Sequence, residues 1–165
     1  MPELAADRPD FRQALEALTG RFPGAVLSSG VEKGESAVRL RKDDLEAVLR
    51  FLKDELGFNV LEDIIVLDNV RTAAEGGKRF SVLYQLYRHP GASRIRLVVD
   101  VGDNEGLASA VPVYRSADWA EREAFDMFGV RFEGHPGLRR IYLPDDFEGY
   151  PLRKDFPLEG RDGGV

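Results

Sequence analysis

The chain has 165 residues, of which 32% are charged and 43% hydrophobic, and its net charge is −6. That composition supports one packed domain of ordinary size with an arm. The acidic balance excludes a broad nucleic-acid surface, and the lack of an apolar run of about 18 residues excludes a membrane-spanning helix. Cysteine is absent and histidine occurs only as His89 and His135. Disulfides, zinc fingers, thiolate-held iron–sulfur clusters and a histidine-built metal centre are therefore not open to these residues.

The opening MPELAADRPDF is acidic and lacks an apolar stretch, so no secretory signal is expected. From Pro9 to Gly20, Phe11, Ala14, Leu15 and Leu18 recur at helical spacing, and Gly20 is a natural stop. Ala25–Leu27 reads as a short strand, Ser28-Ser29-Gly30 as a turn, and Ser36–Leu40 as its hairpin partner. Asp43–Leu56 is a second helix with an apolar stripe of Leu45, Val48, Leu49, Leu52 and Leu56. Asp43 or Asp44 is expected to cap it and Gly57 to end it.

The β-branched run FNVLEDIIVLDNV predicts a strand covered in part on both faces. RFSVLYQLYRH and RIRLVVDVG follow, and in the second Ile95, Leu97, Val99 and Val101 alternate with Arg94, Arg96, Val98 and Asp100. That is the period of a half-buried strand. The intervening HPGAS supplies turn residues, so an antiparallel hairpin is expected. Asp118 with Glu121 three residues on resembles a capping box at the start of a third helix. Gly129 followed by Val130 suits a left-handed stop with a hydrophobic residue after it. The expected fold class is α+β, an antiparallel or mixed sheet packed with helices over 1–132, followed by an extended Pro-rich arm over 133–165.

In that arm, prolines at 136, 144, 151 and 157 break both periodicities. Yet Leu138, Ile141, Tyr142, Leu143, Phe147, Tyr150, Leu152 and Phe156 are too many apolar residues for a solvated tail. They need a surface; the chain's own domain is one candidate, and a surface on another protein is the expectation.

The charged motifs carry little catalytic signal. Glu121 and Glu123, two apart on a helix, diverge, while Arg122 and Asp126, four apart, are expected to pair. His135, between Gly134 and Pro136, reads as a hydrogen-bonding post in a turn. Arg139-Arg140 and Arg153-Lys154 straddle Asp145, Asp146 and Glu148, a mixture suited to ion pairing within the arm or with a partner rather than to phosphate binding. EGGKRF misses the P-loop pattern at Thr72 and Arg79, and no G-x-G-x-x-G occurs, so no nucleotide site is expected. No catalytic, cofactor-binding or metal residue is assigned. The rival in another class is a stand-alone hydrolase using Glu123 or Asp126 with His135, and a further one is a generic adaptor.

The stretch from Glu121 to Leu158 resembles the signature of the C (30 kDa) subunit of proton-pumping NADH:quinone oxidoreductase, respiratory complex I. The frame is Glu121-Arg122-Glu123, Asp126, Gly129, Gly134-His135-Pro136, Leu138-Arg139-Arg140-Ile141, Gly149 and Pro151-Leu152-Arg153-Lys154-Asp155. The resemblance implies a cofactor-free docking subunit of the hydrophilic arm. Its implied neighbours are the quinone-reducing D (49 kDa) subunit and the B and I subunits that carry iron–sulfur clusters, with FMN elsewhere in the complex. It also implies a peripheral place on the cytoplasmic side of a bacterial inner membrane. Equivalent subunits occur in ferredoxin- and deazaflavin-linked dehydrogenases and in membrane-bound hydrogenases. Many relatives run further after Leu158, so the resemblance does not carry the far end of the family's interface over to this chain.

Overall fold

The computed structural model describes residues 9–32, 35–72 and 76–157. Helix α1 spans Pro9–Arg21, and strands β1 (Val26–Glu32) and β2 (Glu35–Leu40) form an antiparallel hairpin. The hairpin was expected, but Ser28-Ser29-Gly30 lies inside β1 and pairs with Arg39, Val38 and Ala37 rather than turning. The cross-strand register overrides the turn preference of short polar residues.

A 3-10 turn (Lys42–Asp44) leads into α2 (Leu45–Asp54). The expected aspartate cap is absent: neither the turn nor α2 has a side-chain cap, and Asp44 instead accepts from Arg41 Nε at 2.7 Å. Strands β3 (Val60–Asp68), β4 (Phe80–Tyr87) and β5 (Arg94–Val101) form an antiparallel run. Short strands β6 (Gly106–Ala108) and β7 (Arg131–Glu133) pair in parallel and flank α3 (Ala117–Phe128).

The main sheet has the order β1-β2-β5-β4-β3. β2 joins β5 in parallel, through Ala37↔Arg96 to Leu40↔Val99, so the sheet is mixed. The crossover between them carries α2 and the β3–β4 hairpin.

Alternation decides which face is dry. Val38, Leu40, Val82, Tyr84, Leu86, Ile95, Leu97, Val99 and Val101 project to one side. There they meet Phe11, Ala14 and Leu18 of α1, Leu45, Val48, Leu49 and Leu52 of α2, and Ala117 and Ala124 of α3. The opposite face holds only a small cluster of Ala37, Leu83, Val98 and Ile65. Polar groups border it: Asp100 accepts from Arg39 and from Ser81 Oγ, while Arg96 reaches Glu35 at 2.7 Å and Gln85 at 3.2 Å.

Gly129 ends α3 in the left-handed conformation read from the sequence (φ 77°, ψ 18°), and its N–H donates to Phe125 O at 2.8 Å. A second constraint was invisible in the sequence. A Cβ here would lie 2.6 Å from the Tyr150 ring and 2.7 Å from Arg153 Nη2. The left-handed penalty alone is about 1–2 kcal/mol for an L-residue, and displaced arm residues add to it. Gly129→Val is therefore expected to lower the denaturation midpoint and to loosen residues 150–153. Equal midpoints and equal protease resistance of the arm would count against this account.

Candidate functional site

The signature residues gather around α3, which lies between the sheet and the arm. Residues 135–137 pass its N-terminal half and 140–143 its C-terminal half, and 152–153 reach its last carbonyls. The arm does not extend away from the domain. The surface expected to belong to another protein is, for the described residues, this chain's own α3 and its neighbours.

Asp126 is the main attachment, and its carboxylate is wholly buried. Oδ2 accepts the backbone N–H groups of Ile141 (2.9 Å), Tyr142 (2.8 Å) and Leu143 (3.1 Å), and Oδ1 accepts from Arg140 Nη1 at 2.8 Å. Three consecutive amides turned to one oxygen form a backbone nest for an anion. Burial by itself disfavours the charge. The amides, led by Tyr142, and the guanidinium outweigh it and hold the acid below its ordinary value. The expected Arg122–Asp126 pair does not form: Asp126 pairs with Arg140, and Arg122 with Asp118 at 2.7 Å.

Arg140 fills the rest of the junction. Its Nη2 donates to Phe147 O and Gly149 O, both at 3.1 Å, and its guanidinium lies over the Phe147 and Tyr150 rings. The loop between 141 and 149 is thus pinned at both ends. Arg153 donates to Phe128 O at 2.6 Å, pairs with Asp103 at 2.8 Å and stacks on Tyr150 and Phe80. It supplies a cation to the C-terminal carbonyls of α3, where the helix dipole favours one.

A second attachment has no local signal in the sequence. Arg79 contacts Asp68 (3.1 Å), Asp103 (2.9 Å) and Asp155 (2.7 Å), and Asp68 also accepts the Lys154 N–H at 2.9 Å. Asp68 is buried, which opposes its charge, but Arg79 and the Lys154 and Val70 amides keep it low. Asp68, Arg79 and Asp103 come from three separate segments, so only the fold assembles them.

The remaining frame residues take varied places. Leu138 packs on the main core, while Ile141, Gly149 and Pro151 are half-buried. Gly134, Pro136, Arg139 and Leu152 are exposed, as are Lys154 and Asp155, whose contacts are those given above. His135 is a hydrogen-bonding post as read. Its ring is fully buried, Nδ1 accepts from Gly137 N–H at 3.0 Å, and Nε2 faces Asp118 O at 3.2 Å. Its nitrogens are committed to Asp118 and Gly137, Asp126 is closed by the nest, and Glu123 is exposed. The hydrolase constellation is therefore not assembled.

Glu121 corrects the capping-box reading. Ser116 occupies the N-cap without a side-chain cap bond, and Glu121 points inward, fully buried. It accepts from Ser109 Oγ at 2.6 Å and from Ala110 N–H at 2.5 Å, tying the loop before α3 to the helix. Burial pushes its pKa up to about 7 despite these bonds, with Asp118 adding to the rise. A serine hydroxyl donates or accepts, so Ser109 suits either protonation state.

A family model described as "Respiratory-chain NADH dehydrogenase, 30 Kd subunit" matches residues 38–162. The chain belongs to that family, whose members are subunits of NADH-quinone oxidoreductase. It is 43% identical over 152 residues to the C subunit of the NADH-quinone oxidoreductase of Trichlorobacter lovleyi, covering 92% of each chain. It is also 43% identical over 141 residues to the C/D subunit of the Bdellovibrio bacteriovorus enzyme, where the match takes 86% of this chain and 24% of that one. Among solved structures, the trypsin-resistant fragment (1–134) of Nqo5 superimposes with a TM-score of 0.66 at 30% identity, over 78% of this chain and 99% of that one. A chain of the archaeal membrane-bound sulfane sulfur reductase shares the fold, with a TM-score of 0.64 at 21% identity over 89% of this chain and 85% of that one.

Two outcomes follow from the buried acids. Asp126→Asn leaves Arg140 without its anion and is expected to cost on the order of 3 kcal/mol. Hydrogen exchange should show the amides of 141–143 losing protection while β4 and β5 keep theirs; unchanged protection would refute the attachment. Because its folded pKa is depressed, Asp126 contributes stability above its ordinary value of 3.8 that is lost as pH falls through the lower folded value. Glu121 acts oppositely. Its contribution is complete below its ordinary 4.5 and is lost as pH rises through about 7, a change on the order of 3 kcal/mol. Denaturation midpoints of Glu121→Gln should therefore rise relative to the parent between pH 5 and pH 8. A pH-independent difference would show that Glu121 ionises normally.

Proposed function

We propose that this chain is a docking subunit of the hydrophilic arm of NADH:quinone oxidoreductase. It holds no redox centre of its own and supports electron transfer from NADH to quinone, coupled to proton translocation, by positioning the subunits that do. The carrying observation is the arm. It is fixed to α3 and Arg79 by buried charges, yet among its described residues after Phe132 no apolar side chain is fully buried. Such a surface is rigid and incompletely covered, which suits a preorganised contact with a partner.

The proposed neighbours are the D (49 kDa) subunit and the B and I iron–sulfur subunits. A relative in which the C and D subunits are one chain supports the first of these. With no cysteine in the sequence, this chain offers no thiolate for an iron–sulfur cluster, so FMN and the clusters are assigned to partner subunits. No described helix is long and apolar enough to cross a membrane. This fits a peripheral place, which we assign to the cytoplasmic side of a bacterial inner membrane with membrane contact only through the complex. We assign NADH as electron donor and a quinone as acceptor, as the names of the NADH-quinone oxidoreductase relatives have it, rather than the ferredoxin, deazaflavin or hydrogenase complexes.

The test uses detergent-solubilised complex carrying a tagged chain. Arg140→Ala/Arg153→Ala is expected to leave the circular dichroism of the sheet domain nearly unchanged. Retention of the 49 kDa subunit should fall on the order of tenfold or more, because Asp126 is left buried without its cation, at a cost of about 3–5 kcal/mol, and the arm that presents the contact loses its attachment to α3. Full retention with full quinone reductase activity would refute docking, and normal assembly with lost activity would indicate direct chemistry. The isolated chain should contain neither stoichiometric iron nor flavin by metal analysis and visible spectroscopy.

A further inference from the structure

Two large aromatic side chains stand in solvent on the α3–arm layer, Trp119 at 66% exposure and Tyr142 at 65%. Trp119 lies seven residues before Asp126, hence on nearly the same stripe of α3 about 10 Å away along the axis. Tyr142 is held at the other end, because its own N–H is one of the three amide donors to Asp126 Oδ2. Arg122 supports the Trp119 ring from 5.8 Å. Both aromatics are thus mounted on fixed backbone, the arrangement that makes tryptophan and tyrosine effective contact centres.

The charges around them are unequal. Asp145 and Asp146 lie exposed in the turn closed by Phe147 N–H to Pro144 O at 3.1 Å, and Glu123 is exposed on the stripe between Trp119 and Asp126. No ion pair joins these three acids to a described residue, whereas nearby Asp118, Asp126, Asp103 and Asp155 are all paired. Arg140, the adjacent cation, is saturated by Asp126 and two carbonyls. Exposed Arg139 and, four residues before Trp119, exposed Arg115 offset two of the three acidic charges and leave a small negative excess.

We propose that this face, with Trp119 and Tyr142 as its anchors and Glu123, Asp145 and Asp146 between and beside them, is a preformed docking surface for a basic strip of a partner protein. The inference rests on the docking reading above and specifies the chemistry of the partner. Like charge argues against a membrane headgroup or nucleic acid, and a second copy of a chain carrying a net charge of −6 would be repelled. A lysine- or arginine-bearing surface with apolar recesses complements both the aromatics and the acids.

The experiment places photo-reactive benzoylphenylalanine at position 119 or 142 of the tagged full chain within the solubilised complex, with position 152 as a comparison. Cross-links from 119 and 142 are expected on one partner subunit, in peptides bearing Lys or Arg. Asp145→Lys/Asp146→Lys is expected to lower retention of that subunit on the order of tenfold at moderate salt. Glu16→Lys/Asp54→Lys, the same charge change on α1 and α2, should not, and both isolated variants should unfold at the parent's midpoint. Cross-links to a second copy of this chain or to lipid, or retention unaffected by the reversal, would overturn the proposal. If the parent chain retains partner subunits and the reversal changes nothing, only this face is wrong. If the parent retains none, the docking reading itself fails.

Discussion

Asp126 sits where water cannot solvate it, so its charge has to be met by the chain. A lone buried carboxylate is costly enough to protonate or to forbid the structure. Here the backbone of 141–143 and the guanidinium of Arg140 supply what water would have. Supplying it requires the chain to leave α3, turn at Gly129, form β7 and come back alongside the helix. The course of residues 140–143, which have neither helical nor sheet periodicity, is therefore set by one carboxylate.

Around that centre the arm behaves as a third layer. The sheet lies on one side of α3 and residues 135–153 on another, each held by polar groups directed at specific atoms. Arg153 meets the last carbonyl of the helix, His135 joins its first turn to the arm, and Arg79 fixes the arm's far end through Asp155. Apolar contact is secondary. Phe147 stacks on Phe156 at 6.1 Å, and among the described arm residues after Phe132 Leu138 is the one apolar side chain that packs on the main core. A layer held by directed bonds retains its shape while leaving apolar surface outward, which is the physical basis for reading it as a contact surface.

Buried acids divide the electrostatics of α3 into opposed responses. Asp126, surrounded by donors, stays charged, and Glu121, with two donors but deeper desolvation, is driven toward neutrality near pH 7. Both tie loops to the same helix, one after it and one before it. The number of N–H and guanidinium groups brought within reach decides the sign.

Much of this was legible in the sequence. The stripe from Leu45 to Leu52, the alternation of Ile95 to Val101, the left-handed stop at Gly129 and the post at His135 are local, because a helix, a strand or a turn is specified by residues within a few positions of one another. The family frame from Glu121 to Asp155 was legible for the same reason, as a run of ordered residue types. What the tertiary structure decided is which partner each charged group takes. Arg122 and Asp126 have the right helical spacing, yet Asp126 goes to Arg140 and Arg122 to Asp118. Glu121 has the spacing of a capping box, yet it turns inward to Ser109. Asp68, Arg79 and Asp103 carry no local signal and meet only because β3, β4 and the loop after β5 are neighbours. The energy of a buried charge depends on every donor within a few ångströms, and those donors come from segments far apart in the chain.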